Sequence, residues 1–369
     1  MLAPLILFAQ FLIPDPARVS LLMDEVFQPS RKKDLNCSIT PAAPRLGFSF
    51  VHWAGFGVAV PLRQFPLADV KQTDFAVAIE IHPKGGKASY LGERFSVPSA
   101  PEGRFYPKDT QIQYGGGYQL GPGEYNIRAY VADNDGRACR KAWSVKIKDD
   151  ARIQTKLEPN QITAVGGERW RGLDATQEPK RVAVIIDAAP LFPRRNMVRL
   201  SSYDRSILLT SLTSILDNAK FTAATVIAAD SRNRKVVYSS NEFNGRGLGR
   251  LGRALAEINL GVVSVETLKG PGPAAFLESM LKEHQEAIEK ADVVVFLGPA
   301  WGWQGGMTPL LRELAKSLPP IHQLSVSRFP APADSLLASF AKAGNGHTQL
   351  VVTPNDLAKA IEKMTKLPK

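Results

Sequence analysis

The stretch RVAVIIDAAPLFPRR, residues 181–195, decides how the second half of this chain folds. Between Arg181 and Asp187 every side chain is aliphatic, the pattern of a strand covered on both faces in a parallel sheet rather than one with a wet face. The run then ends in an acid, followed by Ala188, Ala189 and Pro190. Ligands of open α/β sheets bind outside the carboxyl ends of central strands, so Asp187 is a candidate site residue.

Outward from that strand, residues 180–369 alternate buried strands with amphipathic helices, which predicts a doubly wound, mainly parallel α/β domain. SYDRSILLTSLTSILDN follows as a helix with a stripe through Ile207, Thr210, Ser211, Ser214 and Ile215, reinforced by Leu208, Leu212 and Leu216. FTAATVIAAD and RKVVYSS are strands joined only by Ser231 to Arg234, a link too short for a parallel crossover, so they form an antiparallel hairpin. PAAFLESMLKEHQEAIEKA reads as one long helix, DVVVFLGP, IHQLSVSRF and TQLVVT as the remaining strands, and Thr353 or Asn355 caps a last helix with Pro354 just inside.

Ahead of this, residues 35–149 read as short alternating strands divided by turn signals, an all-β antiparallel sandwich. In DFAVAIEIH, Phe75, Val77, Ile79 and Ile81 share one face, and Tyr125, Ile127, Ala129 and Val131 repeat the rule. The DNDG turn then leads into CRKAWSVKIK, where Trp143, Val145 and Ile147 alternate inward. Residues 150–179 keep no period and read as a linker.

The order of elements from Arg181 to Lys369 resembles the von Willebrand factor type A fold: a central strand ending in acid, a long helix, a hairpin with an antiparallel edge strand, then helix–strand repeats. The resemblance implies a divalent cation held by an Asp-x-Ser-x-Ser run, with a Thr and an Asp from two other loops, because a hard ion wants hydroxyl and carboxylate oxygens. Asp187 matches the first position, but Ala189 and Leu191 stand at the two serine positions, and Gly298, Pro299, Ala300 and Trp301 follow the strand where a second acid is expected. The expected site is therefore degenerate, with no metal and no cofactor, and Asp187 is left to cap a helix or bond loop amides. The loops around it still hold Arg194, Arg195, Trp301 and Trp303, residue types favoured at binding hot spots.

The 369 residues carry a formal net charge of +11, which favours acidic partners: a protein, an anionic envelope surface or, less in keeping with the sequence, nucleic acid. The apolar run MLAPLILFAQFLIP is too short to span a bilayer and fits a signal-peptide core within residues 1–20, although Arg18 is the first basic residue. That reading places the protein outside the cytoplasm; the alternative is a segment packed on the folded body, with a cytoplasmic chain. Export would allow a disulfide between Cys37 and Cys139, and a reduced compartment would leave two buried thiols.

Several patterns are decoys. Gly247-x-Gly249-x-x-Gly252 spells a dinucleotide fingerprint but does not leave a strand directly. Arg246, Arg250 and Arg253 share a helical face opposite Leu251 and Leu255, a solvated surface or an anion site. None of the five histidines sits in H-E-x-x-H, and no G-x-S-x-G is present. The expectation is a non-enzymatic binding or scaffolding protein that recognises a protein partner through the loops above Asp187; a hydrolase in the same crevice and a polyanion binder are the alternatives.

Overall fold

The computed structural model describes residues 11–12, 34–64, 72–98, 110–133, 135–149, 153, 155–164, 170, 172–173, 180–191, 197–260, 270–327 and 335–365. The chain divides into two compact units, Met1–Arg169 and Trp170–Lys369.

The first unit is built from two antiparallel sheets. One runs β1(Phe11–Leu12), β5(Ser89–Pro98), β4(Gln72–Pro83), β7(Gly123–Asp133), β8(Ala138–Ile147); the other runs β2(Ser38–Leu46), β3(His52–Pro61), β6(Gln111–Leu120), β9(Ile162–Ala164). Inward residues of both sheets, such as Val58 and Tyr118 of one and Phe75, Ile79 and Ile127 of the other, join a single apolar cluster. The alternation read in β4 and β7 follows from that shared core, since period-two side chains reach it only from one face. The DNDG turn closes β7 onto β8 with Gly136 at φ 73°, and Asp133 accepts backbone N–H bonds from Asp135 and Arg137. Cys37 and Cys139 are joined as a disulfide, their Cα atoms 6.0 Å apart. Within the N-terminal apolar run, Phe11 and Leu12 pair antiparallel with Gly92 and Leu91; the rest of residues 1–20 lies outside the described residues.

The division between the two units falls within residues 150–179, and the described part of that stretch carries some structure of its own. Ile162–Ala164 adds a short strand beside β6, where Thr163 bonds the buried Gln119, and Trp170 donates to Asp217 and stacks on Phe243 of the second unit. Three-residue strands and single anchoring aromatics leave no periodic signal.

The second unit is one six-stranded sheet in the order β12(Lys235–Ser240), β11(Ala223–Asp230), β10(Arg181–Asp187), β13(Val293–Gly298), β14(Ile321–Val326), β15(Thr348–Val351). All neighbours are parallel except β11–β12, an antiparallel hairpin with a register shift at Ala228/Ala229. The helices are α1(Ser202–Asn218), α2(Gly245–Glu257), α3(Pro273–Glu283), α4(Gln285–Glu289), α5(Pro309–Ser317), α6(Leu336–Ala343) and α7(Pro354–Thr365). A capping box starts α1, with Ser201 accepting from the Asp204 N–H and Asp204 accepting from the Ser201 N–H. The single helix expected over residues 273–291 breaks at His284 into α3 and α4. Among the described residues no helix is long and apolar enough to cross a membrane.

Candidate functional site

Asp187 ends the central strand β10 and is 4% exposed. Two neighbouring loops take both oxygens of its carboxylate. The Ser231 hydroxyl, just after β11, donates to Oδ1 at 2.6 Å, and the Ala300 N–H, from the loop after β13, donates to Oδ2 at 2.9 Å. The loop is shaped for this approach: Gly298 sits at φ 144°, where an added Cβ would fall 2.6 Å from the Asp187 carbonyl oxygen, and Ala300 itself adopts φ 61°. On the other side Gly302 rests against Ser231, since a Cβ there would lie 2.1 Å from the hydroxyl oxygen.

Burial pushes the Asp187 carboxyl up to about 6. The Ser231 hydroxyl and the Ala300 amide pull it down, and the Trp303 indole adds a weaker pull without a well-formed hydrogen bond; the Asp230 charge raises it. Ala189 and Leu191 are buried hydrocarbon at the two positions where the resemblance implies serines. A hard divalent cation takes about six oxygens. Among the described residues, the groups bonded to the acid are the Ser231 hydroxyl and the Ala300 N–H, and an N–H donor is no ligand for such an ion.

Above the acid, at the carboxyl ends of β10, β11 and β13, lies a crevice of about 290 Å³. Its apolar walls are Ala189, Pro190, Met197, Leu260, Pro273 and Trp301, and its polar side is the β11–β12 turn, Asp230, Ser231, Arg232 and Arg234. That turn is rigid. Asp230 accepts from the Arg232 and Asn233 N–H groups and from the Asn233 side chain, and Arg234, at φ 51°, donates to the carbonyls of Gly270 and Pro271.

The expected binding residues are thus dispersed. Trp301 is half-buried and lines the crevice. Trp303 is 1% exposed and stacks on Phe276 with centroids 5.6 Å apart, which moves it from the recognition surface to the core. Asp187 lies beneath Ser231 rather than on the crevice wall, and Arg194 and Arg195 fall outside the described residues. Ser231 and Arg232 were missed because the sequence marks them only as hairpin link; their one signal is position, directly after a strand neighbouring β10. Gly247, Gly249 and Gly252 all lie inside α2, so they form no phosphate-binding turn between strand and helix.

No known family profile matches the sequence, and no curated protein matches it. Among solved structures the chain is similar to a von Willebrand factor type A protein from Catenulispora acidiphila, at 13% identity and TM-score 0.31 over 67% of this chain and 46% of that one. It is similar also to the ArnB paralog VWA2 from Sulfolobus acidocaldarius, at 10% identity and TM-score 0.27 over 66% and 51%. An aerotolerance-related membrane protein from Bacteroides fragilis matches at 13% identity and TM-score 0.32 over 50% of this chain and 97% of that one. The chain thus spans about half the length of the first two. Likenesses at this level transfer no function. The antiparallel edge strand β12 is the one that the type A resemblance implies.

Proposed function

We propose that this chain is a non-enzymatic binding protein that recognises a protein partner, without a metal ion, through the crevice above Asp187. The observation that supports this most is the pairing of a closed acid with an open pocket: both Asp187 oxygens are held by protein donors, while the crevice beside them has an aromatic wall, Trp301, and a cationic side. Aromatic and arginine side chains around a pocket suit a partner's anchor residue. The reading extends to an exported chain whose first unit, an antiparallel sandwich, is stapled by Cys37–Cys139.

Partner capture from envelope extract tests it. Capture is expected to persist in chelator and to fall at least about tenfold in Trp301→Ala, a change that leaves Trp303 and the core intact. Capture that requires magnesium or calcium, or that ignores Trp301, contradicts the reading. Capture that collapses steeply with salt favours the polyanion alternative.

The short Ser231–Asp187 hydrogen bond favours a second reading, a hydrolase with Ser231 as nucleophile and Asp187 as base. The backbone of Gly302 against that hydroxyl weighs against it. Covalent labelling of Ser231 by a fluorophosphonate would support the hydrolase; we expect none.

A further inference from the structure

We infer that the crevice receives a carboxylate carried on a short apolar stem, with the Arg232 guanidinium as its counter-charge. This names what the partner presents and rests on the recognition reading above. The other polar groups that line the cavity are already engaged. The Ser231 hydroxyl is committed to Asp187. Asp230, the single acid among the described lining residues, is buried and bonded to the Arg232 and Asn233 amides. The Arg234 guanidinium is tied to the Gly270 and Pro271 carbonyls.

Arg232 is different: it is exposed, and its guanidinium makes no ion pair or hydrogen bond with any described residue. Its backbone N–H is bonded to Asp230, and the residue lines the crevice. A carboxylate meets such a fork with charge-assisted hydrogen bonds, roughly twice as strong as neutral ones. The opposite walls decide the rest of the ligand. Met197, Leu260, Pro273 and Trp301 give a small inorganic anion nothing to pack on, whereas an apolar stem removes their surface from water. A cation would be repelled by Arg232 and Arg234, and a neutral apolar ligand would gain nothing from the Arg232 guanidinium. At about 290 Å³ the cavity is at the small end of ligand sites and suits one side chain or a short free acid.

Saturation-transfer NMR and tryptophan fluorescence titrations with hexanoate, hexanol and hexylammonium test the assignment on the full chain. Hexanoate is expected to bind at least about tenfold more tightly than the other two, to lose about tenfold or more in Arg232→Gln, and to bind unchanged in Arg253→Gln, a control arginine on the exposed face of α2. The peptide N-acetyl-Leu-Glu-Leu-amide separates the sources of the carboxylate: tighter than hexanoate supports a protein side chain, and weaker supports a free small acid. Equal binding of hexanol and hexanoate, or undiminished hexanoate binding in Arg232→Gln, overturns the inference. Failure here with capture still lost in Trp301→Ala leaves the recognition reading standing; intact hexanoate selectivity with capture indifferent to Trp301 sinks that reading instead.

Discussion

Asp187 holds a buried carboxyl whose proton binds more tightly in the folded chain than the ordinary value of 3.8 allows. A folded pKa raised to about 6 contributes stability that is fully present below about pH 4 and is lost as pH rises through about 6. The loss amounts to about 3 kcal/mol at most, because one unit of pKa corresponds to about 1.4 kcal/mol. Urea unfolding of the wild type and Asp187→Asn between pH 4 and pH 8 should therefore show the wild type losing ground to the variant as pH rises; parallel curves would contradict the burial of this acid. Gly298 is the second decisive residue. Gly298→Ala combines a left-handed φ with a Cβ pressed on Asp187, and is expected to cost about 3 kcal/mol or more. Neither effect was legible in the sequence. The acid's position at a strand end could be read, but its partners come from residues 44 and 113 positions away.

At the scale of elements, strand identity was legible wherever both faces of a strand are hydrocarbon, as in β10 and β13, or where alternation meets a one-sided core, as in β4 and β7. Caps were legible for the same local reason: the Thr353 hydroxyl accepts from the Asp356 N–H and the Asp356 carboxylate accepts from the Thr353 N–H at the start of α7. What could not be read is cross-strand polarity. His322, fully buried in β14, meets His347 through their Nδ1 atoms at 2.9 Å, and no acid among the described residues pairs with either ring. Burial, then the neighbouring His347, pushes His322 down to about 4, and burial with the Lys363 charge lowers His347. A depressed histidine contributes stability above about 6.5 that is lost as pH falls toward about 4. The wild type should lose up to about 3 kcal/mol more than His322→Asn between pH 7 and pH 4, the opposite slope to that of Asp187. Equal acid sensitivity would show that the pair is not held neutral.

For the whole molecule, the change from antiparallel to parallel grammar along the chain was legible, whereas the short strand β9 and the anchor Trp170 were hidden in a stretch without period. The Cys37–Cys139 bond spans 102 residues and joins β8, at one end of its sheet, to the residue before β2, at one end of the other. Closing so long a loop restricts the unfolded chain, so Cys37→Ser with Cys139→Ser should cost about 2–5 kcal/mol, and reductant should lower the urea midpoint of the wild type but not of the double variant. A midpoint indifferent to reductant would show that the bond does not form in solution.

We propose that protein donors, rather than a cation, close the acid at the end of β10 in solution. Calorimetric titration of the chain with magnesium, manganese and calcium tests it most directly. No saturable heat is predicted with any of the three ions; tight binding that disappears in Asp187→Asn would contradict the account.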